Sequence, residues 1–229
     1  MEADSPRGKG YRGLAMEGAV ARRYSKLRST DAQIEDWRRQ ADQLTAGLAD
    51  GARVLEVAPG PGFFAVELAR IGRFRVTGLD ISRTFVEIER KNARAAGVSV
   101  DFRWGDASAM PFGDGSFELI VCQAAFKNFS RPRKAIDEMY RALSEGGTAV
   151  IQDMRKDASD AAIRAEVEAM RLGFFGAFMT RRILGGLRRR AYTVDQFQEM
   201  ASGSRFRGAE ITASGIGVEV RLTRRNSPA

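Results

Sequence analysis

The amino-acid sequence predicts an α/β protein with a mostly parallel, seven-stranded sheet that carries helices on both faces. Three observations lead to this fold class. Short apolar, β-branched segments alternate with longer segments of helical spacing. Several short segments end at an acidic residue before a turn or a helix, as strands do at the ligand-binding edge of open parallel sheets. The last two short segments are separated by a tight turn alone, which predicts a closing hairpin and an antiparallel last strand.

The predicted elements follow one another in a regular order. We predict strands over residues 54–57, 74–79, 98–103, 117–122, 148–152, 206–212 and 215–223. Apolar residues from Phe64 to Ile71 predict the first intervening helix. Ser82 is the expected N-cap of a second helix, which Gly97 ends, and a third apolar helical face covers residues 135–143. This strict alternation implies that neighbouring strands pair in parallel.

Two segments interrupt the alternation. Residues 1–50 contain an apolar helical stripe, from Ile34 to Leu48, which predicts an N-terminal helical cap on a main domain of residues 51–229. Residues from about 157 to 190 are rich in arginine and phenylalanine and contain no evident strand. We therefore predict a helical lid inserted over the site after the fifth strand.

Composition excludes several kinds of site. The chain has one cysteine, Cys122, and no histidine, which excludes an internal disulfide and the usual zinc sites, and we expect no metal. The N-terminus lacks the apolar segment of a signal peptide, and no apolar run is long enough to span a membrane, so we expect a cytoplasmic protein. The net charge of +8 is mostly spread over predicted helix surfaces. One denser cluster consists of Arg181, Arg182, Arg188, Arg189 and Arg190.

The segment from Val54 to Phe64 reads as a strand, a glycine-proline turn and a helix start, which is typical of a nucleotide-binding turn. Two kinds of cofactor fit it. The G-x-G-x-x-A spacing, with Asp80 about 20 residues later, fits a dinucleotide. Glu56 at the end of the strand would instead suit a positively charged amino group, and Pro59 and Pro61 remove N–H donors that a pyrophosphate needs. The turn alone leaves both open and favours an amino-acid-bearing nucleoside.

The turn is the first of a series of ordered motifs, which are VLEVAPGPG at residues 54–62, GLDIS at 78–82, GDA at 105–107, MPF at 110–112 and FELIVC at 117–122. In this order they resemble the motifs of the class I S-adenosylmethionine-dependent methyltransferases. Further along, the chain has Lys-Asn at 127–128, Glu-Met-Tyr-Arg at 138–141 and Gly-Gly at 146–147. With these it is most similar to the branch of ubiquinone and menaquinone biosynthesis C-methyltransferases. The resemblance covers residues 51–153.

The resemblance implies a Rossmann-like fold, S-adenosylmethionine as cofactor and S-adenosylhomocysteine as product. The implied cofactor-binding residues are Glu56, Ala58, Gly60, Gly62, Asp80, Ile81, Asp106, Ala107 and Gln123. Glu56 and the turn would hold the methionine moiety, and Asp80 would accept hydrogen bonds from the ribose hydroxyls. Ile81, Asp106 and Ala107 would recognise adenine. Ala58 departs from the glycine common in the family, and we expect it to fit the turn with a negative φ.

Methyl transfer from a sulfonium depends mainly on alignment and exclusion of water. Where a base is needed, Asp153 is the candidate at the end of the fifth strand, and Lys127 could orient an anionic acceptor. The expected substrate-pocket residues come from the N-terminal segment, the segment after strand four and the lid. They are Tyr11, Tyr24, Phe126, Asn128, Phe174, Phe175, Phe178 and Met179.

The preferred function is methylation of a small, aromatic or partly apolar molecule. Gln123-Ala124-Ala125-Phe126 differs from the Asn/Asp-Pro-Pro-aromatic motif of many base-amino methyltransferases, which argues against a nucleic-acid acceptor. Two alternatives stay open: an RNA-directed methyltransferase that uses the arginines of the lid, and a nicotinamide-dependent oxidoreductase. The sequence does not distinguish a monomer from a homodimer.

Overall fold

The computed structural model describes residues 11–12, 16–27 and 31–226. Its seven-stranded sheet has the order β3-β2-β1-β4-β5-β7-β6. The strands are β1 (Arg53–Val57), β2 (Arg75–Asp80), β3 (Asp101–Trp104), β4 (Phe117–Gln123), β5 (Leu143–Met154), β6 (Glu210–Ser214) and β7 (Gly217–Thr223). Strands β1 to β5 pair in parallel, whereas β7 is antiparallel to both β5 and β6. The predicted fold class is therefore confirmed.

Helices cover both faces of this sheet. They are α1 (Gly18–Leu27), α2 (Asp31–Thr45), α3 (Phe63–Arg70), α4 (Arg83–Ala96), α5 (Pro132–Ala142), α6 (Asp160–Ala169), α7 (Phe174–Arg190) and α8 (Val194–Ser202). A short 3-10 helix, Phe126–Asn128, follows β4. Within the described ranges, no helix combines the length and apolar character that crossing a bilayer requires.

Two strands, β3 and β6, begin at least three residues later than the sequence predicts, for local reasons. The N–H of Val98 donates to the carbonyl oxygen of Ala93 at 3.1 Å and closes the end of α4, so β3 begins only at Asp101. Before β6, the N–H of Arg207 donates to Ser204 at 3.1 Å in a turn, and β6 begins at Glu210. Both differences arise from backbone hydrogen bonds that apolar patterning does not reveal.

The alternation of side chains along β1 divides the core into two layers. Leu55 and Val57 pack in the layer that contains α5 and α8, and Val54 packs in the layer that contains α2 and α3. The same alternation places Glu56 on the α2–α3 side. A charged residue thus lies at the carboxyl end of a central strand, on the face covered by the N-terminal helices.

The N-terminal helices contact the main sheet domain through specific pairs. In α2, Trp37 stacks on Phe63 of α3 with ring centroids 5.4 Å apart. Glu17, just before α1, accepts hydrogen bonds from the N–H groups of Arg83 and Thr84 at 3.0 and 3.2 Å. Because these N–H groups begin α4 and have no partner within the helix, Glu17 caps that helix from a distant part of the chain.

Gly78 in β2 lies against Phe102 of β3, its partner in the strand register. A Cβ atom at Gly78 would lie 2.4 Å from Cδ1 of Phe102, which is less than any real contact allows. The absence of a side chain at this position therefore permits the aromatic ring to cover the β2 backbone.

We expect Gly78→Ala to lower the free energy of unfolding by about 1–3 kcal/mol, because the buried ring of Phe102 must move. Gly113→Ala is the matched control, since its Cβ would lie 3.7 Å from the nearest atom, Ser116 Oγ. The control should change stability by less than about 0.5 kcal/mol. Chemical denaturation measures both, and equal effects would contradict the packing argument.

Candidate functional site

The glycine-proline turn joins β1 to α3 at the carboxyl edge of the sheet. Gly60 and Gly62 have φ values of 60° and 76°, in the left-handed region that glycine tolerates. A Cβ at Gly62 would also lie 3.0 Å from Cγ of Glu89 and 3.2 Å from Cζ of Phe102. Both the backbone conformation and the lack of space therefore require glycine at position 62.

Ala58 adopts a φ of 58°, so the expectation of a negative φ there is wrong. Its N–H donates to the carbonyl oxygen of Leu79 at 2.8 Å, which continues the β1–β2 pairing by one residue. The chain must leave the sheet immediately after this bond, and the left-handed conformation achieves that change of direction. For a residue with a Cβ this conformation costs about 1–2 kcal/mol.

Glu56 is buried beside the turn, with only 3% of its surface exposed. Its Oε2 atom has no hydrogen-bond partner within the described part of the chain. Burial raises the pKa of Glu56 to about 8, the N–H of Ala65 opposes the shift, and the charge of Asp80 adds to it. An unpartnered, buried carboxylate oxygen is the kind of group that a ligand ammonium would stabilise.

Asp80 at the end of β2 connects two loops. Its Oδ2 accepts from the N–H of Gly60 at 3.2 Å, and its Oδ1 accepts from the N–H of Ser82 at 2.7 Å. Burial raises the pKa of Asp80 to about 7, against the lowering effect of these two hydrogen bonds. Because a carboxylate offers about four lone-pair sites, both oxygens can still accept from ligand hydroxyls.

Glu89 is a third buried carboxylate that the sequence reasoning missed. It lies in α4 beneath Gly62, it is fully buried, and neither carboxylate oxygen has a partner among the described residues. Burial raises its pKa well above the usual range, and the charges of Asp80 and Glu56 raise it further. Its spacing of four residues from both Phe85 and Ala93 places it on the buried face of α4. This spacing in the sequence could have identified Glu89 as a residue of the buried helix face.

The predicted adenine-binding residues lie beyond Asp80. Oδ1 of Asp106 accepts from the N–H of Ser108 at 2.8 Å, and its Oδ2 accepts from Arg131 at 2.7 Å. Burial alone would raise the pKa of Asp106, but these partners lower it overall, which keeps the carboxylate charged. Ile81 accepts at its carbonyl from the indole of Trp104 at 2.9 Å. The backbone of Ala107 lies beside Asp106, and the roles of these residues towards adenine stay predictions.

The structure brings Tyr24 to the turn, and it brings Tyr11 to the segment after β4, where Tyr11 pairs with Phe129. A Cβ at Gly60 would lie 4.0 Å from Cε1 of Tyr24, and Tyr24 meets Phe85 edge-on at 6.1 Å between ring centroids. Burial raises the pKa of Tyr11, the nearby Arg190 opposes this shift, and Asp80 adds to it. Residues from the N-terminal segment therefore lie near the carboxyl edge of the sheet, and their contact with a cofactor or substrate stays a prediction.

Gln123 at the end of β4 is held by other amides. Its Nε2 donates to Oε1 of Gln40 in α2 at 2.7 Å and to Oε1 of Gln152 in β5 at 2.8 Å. Gln152 in turn donates to Glu219 of β7 at 2.7 Å. This row of polar side chains runs from α2 across β4 and β5 to β7 and fixes the orientation of Gln123.

Asp153 and Lys127, the two predicted catalytic residues, form a buried ion pair with each other. Lys127 Nζ lies 2.7 Å from Oδ1 of Asp153 and also donates to the carbonyl oxygen of Ala124. The N–H groups of Lys127 and Met154 donate to the same carboxylate at 2.9 and 2.7 Å. This geometry favours a structural role, since the pair fastens the segment after β4 to the end of β5. Their catalytic roles stay predictions that this geometry does not favour.

Two predicted pocket residues after β4 are buried as well. Phe126 has no exposed surface and packs against Phe129, Tyr192 and Phe197, with ring centroids 5.3 to 5.8 Å apart. The expectation that Phe126 lines an accessible pocket is therefore wrong, because it belongs to the hydrophobic core. Asn128 is buried, and its Oδ1 has no partner in the ranges that the structure describes.

The predicted pocket residues of the lid lie on α7 and point to solvent. The exposed fractions of Phe174, Phe175, Phe178 and Met179 are 93%, 75%, 53% and 42%. None of the residues of α7, which is described in full, is buried. In this conformation these four side chains therefore form an open apolar surface, which contradicts the expectation that they line a pocket.

Two cavities that are open to solvent lie at the other edge of the sheet. A cavity of about 650 Å³ is lined by Arg75, Asp101 and Phe117, each the first residue of its strand. A second, of about 450 Å³, adjoins Arg53 and Gly147. Because ligands of open α/β sheets bind outside the carboxyl ends of the strands, we assign the candidate site to the turn and the acidic residues.

Comparisons with known proteins relate the sheet domain to a family. Residues 55–151 match the family model of a methyltransferase domain. A demethylmenaquinone methyltransferase of Deinococcus radiodurans is 34% identical over 155 residues, which are 66% of this chain and 64% of the relative. Another, of Thermus thermophilus, is 36% identical over 140 residues, which are 59% of this chain and 63% of the relative. The chain spans just under two thirds of the length of these curated relatives.

Solved structures share the fold. A putative S-adenosyl-L-methionine-dependent methyltransferase of Methanococcus maripaludis has a TM-score of 0.73 at 20% identity, covering 95% of this chain and 97% of that one. The [4+2]-cyclase SpnF has a TM-score of 0.57 at 24% identity, covering 90% of this chain and 64% of that one. The structures bear on fold alone, whereas the family model and the curated relatives confirm the resemblance described from the sequence. They imply S-adenosylmethionine as cofactor and support neither the RNA-directed nor the nicotinamide alternative.

We expect Ala58→Gly to stabilise the protein by about 0.5–1 kcal/mol. Glycine relieves the left-handed strain at φ 58°, and the greater freedom of the unfolded glycine chain offsets part of the gain. Ala109→Gly, at an exposed alanine without a positive φ, should destabilise slightly instead. Thermal and chemical denaturation measure the difference, and a loss of stability in Ala58→Gly would contradict the strain.

We expect the ligand-free protein to lose stability as pH rises from about 5 to about 8. Folding raises the pKa of Glu56 from 4.5 to about 8 and of Asp80 from 3.8 to about 7. In this window the folded chain binds more protons than the unfolded chain, so the free energy of unfolding falls with pH. For a domain of this size, each kcal/mol lost lowers Tm by roughly 2–4 °C.

Glu56→Gln tests the source of this slope. An amide cannot ionise, so the variant should show a shallower fall of Tm with pH and should be at least as stable as the natural chain at pH 8. Glu87→Gln, an exposed residue of α4, is the matched control and should keep the natural slope. A Glu56→Gln profile that coincides with the natural profile would show that the carboxylate is already ionised at low pH.

Proposed function

We propose that this chain, which belongs to the class I S-adenosylmethionine-dependent methyltransferase family, transfers a methyl group to a small aromatic or partly apolar acceptor. The observation that carries the proposal is the pair of buried carboxylates, Glu56 and Asp80, on either side of a turn with two left-handed glycines. This arrangement suits a ligand that has an ammonium group at one end and a ribose diol nearby. A dinucleotide offers two diols and a pyrophosphate, but no ammonium group.

The chain's own residues would hold the cofactor through charge and hydrogen bonding. The unpartnered Oε2 of Glu56 would accept from the ammonium group, and Asp80 would accept from the ribose hydroxyls while it keeps its bonds to Gly60 and Ser82. Glu89, buried beneath the turn with a raised pKa, would ionise more easily once a cation is bound nearby. When bound, S-adenosylmethionine supplies a sulfonium methyl group that is already activated towards a nucleophile.

The remaining task of the protein is positioning and exclusion of water. Tyr24, beside Gly60, and Tyr11, within electrostatic reach of Asp80, would cover the turn from the N-terminal side. Aligned reacting groups are worth roughly 7–11 kcal/mol in favourable intramolecular cases, so catalysis does not depend on a histidine or a metal ion. In such a mechanism the ion pair between Lys127 and Asp153 would stabilise the site and would not contact the reacting atoms.

For the acceptor, we propose a hydroxylated aromatic ring that carries an apolar chain. The curated relatives at 34% and 36% identity are named demethylmenaquinone methyltransferases, which supports an acceptor of this class. The exposed apolar side chains of α7 add support, because they offer a surface that would remove such a chain from water.

Binding calorimetry with S-adenosylhomocysteine tests the cofactor. We expect Asp80→Ala to weaken binding about 100-fold or more, since charge-assisted hydrogen bonds contribute about 1.5–3 kcal/mol each. Asp80→Asn keeps an acceptor for Gly60 and should fold normally while still losing at least about tenfold in affinity. Asp42→Asn, on the exposed side of α2, is the control and should bind normally.

The outcome with other ligands completes the test. Transfer of labelled methyl from S-adenosylmethionine to reduced demethylmenaquinone would support the acceptor class. Transfer to a short hydroxylated naphthalene but not to the prenylated ring would restrict the proposal to soluble aromatics. Tight binding of NADH, with no binding of S-adenosylhomocysteine, would overturn the function altogether.

A further inference from the structure

Exposed apolar side chains are concentrated in one place on this protein. Among the described residues, the large hydrophobic side chains that are exposed in residues 170–183 are Met170, Leu172, Phe174, Phe175, Phe178, Met179 and Ile183. Only Val20 and Tyr24 are comparably exposed elsewhere in the described ranges. We call residues 170–183 the apolar surface. A contiguous exposed surface of this kind marks an interaction site in a folded protein.

The apolar surface is continuous with strong positive charge. Helix α7 contains five arginines and no acidic residue. Arg181, Arg182, Arg189 and Arg190 are exposed, whereas Arg188 is paired with Asp160 at 2.7 Å. The acidic side chains of this region belong to the neighbouring α6, at Asp160, Glu166 and Glu168. The exposed charge that accompanies the apolar side chains on α7 is therefore entirely positive.

Arginine and phenylalanine side chains are interleaved on this helix. Phe174, Phe178 and Arg182 follow one another at intervals of four residues, and so do Phe175, Met179 and Ile183. The guanidinium of Arg182 lies 5.9 Å from the ring centroid of Phe178. Guanidinium groups beside inserted aromatic rings can reach the phosphates above an apolar layer, which is the arrangement of helices that lie in a membrane interface.

We propose that α7 and the loop before it dock on an anionic phospholipid membrane, with the helix in the plane of the headgroups. Phe174, Phe175 and Phe178 enter the boundary between headgroups and acyl chains. Arg181, Arg182, Arg189 and Arg190 bind lipid phosphates. The helix is about 25 Å long at 1.5 Å per residue, which suffices for a surface anchor.

Charge and chemistry favour a membrane over other occupants. A second copy of the chain in a two-fold arrangement would bring the arginines of one α7 against those of the other, at a cost in like-charge repulsion. A nucleic acid would use the arginines but would leave aliphatic side chains such as Leu172 and Ile183 in water. An anionic bilayer satisfies the apolar and the positive groups together.

Docking in this position places the site at the membrane. The C-terminal end of α7 lies at the carboxyl edge of the sheet, because Tyr192, two residues beyond it, pairs with Arg155 just after β5 and accepts from the N–H of Lys156 at 2.9 Å. A lipid-soluble acceptor would then reach the carboxyl edge of the sheet without crossing water. This consequence rests on the proposed function, whereas the docking itself does not.

Co-sedimentation of the full chain with vesicles tests the proposal without cofactor or acceptor. We expect binding to vesicles of equal parts phosphatidylglycerol and phosphatidylcholine, and at least tenfold weaker binding to phosphatidylcholine alone. Arg181→Gln with Arg182→Gln should lower the partition coefficient about 30-fold at low salt. Phe174→Ser with Phe175→Ser should lower it at least tenfold. Because both phenylalanines are exposed, the second variant should keep the natural Tm.

Lys91→Gln with Arg94→Gln, at exposed positions of α4, is the matched control and should bind as the natural chain does. No binding to anionic vesicles, or binding that neither α7 variant weakens, would overturn the proposal. It would also be overturned by a dimer, seen in sedimentation velocity without vesicles, that the phenylalanine variant abolishes. Binding of single-stranded RNA at 0.15 M salt that outcompetes the vesicles would equally overturn it. Failure of methyl transfer with intact vesicle binding would instead contradict the proposed function alone.

Discussion

The carboxylate of Asp80 fixes the relation between the two loops that form the candidate site. Its oxygens accept from Gly60, in the turn after β1, and from Ser82, which begins the connection to α4. Both loops leave neighbouring parallel strands at the same edge of the sheet, and Asn92 of α4 also donates to the carbonyl oxygen of Pro61 in the turn at 2.9 Å. Asp80 is the buried acceptor that the two loops share, and it thereby links the first residues of α3 and α4.

That arrangement has an electrostatic cost. Asp80, Glu56 and Glu89 are withdrawn from water around the same turn, and each carboxylate makes ionisation of the others less favourable. Asp80 offsets part of the cost through its two backbone donors, whereas Glu56 and Glu89 retain oxygens without partners in the described part of the chain. A ligand cation would relieve this repulsion, so the same burial that weakens the empty site strengthens binding of a positively charged group.

Much of this could be predicted from the sequence, because periodicity and motif order are local properties. The strands, the parallel pairing and the closing hairpin all follow from patterns within short windows. The role of Phe126 and the ion pair between Lys127 and Asp153 depend on contacts between distant segments, and apolar spacing does not reveal them. The conformation of Ala58 escaped prediction because the backbone bond to Leu79, rather than residue preference, decides its φ. The exposure of α7 could not be predicted either, since a buried helix and an interfacial helix have similar apolar content.

The row of amides at the end of β4 shows how a residue of a distant strand can determine the orientation of the Gln123 side chain. Glu219 on β7 can only accept, so Gln152 must direct its nitrogen towards it and its oxygen towards Gln123. Gln123 must then direct its own nitrogen towards Gln152, and its oxygen faces the opposite way. The orientation of the Gln123 amide at the end of β4 is thus determined by a carboxylate three strands away from β1, and reversing it would require both amides to turn over together.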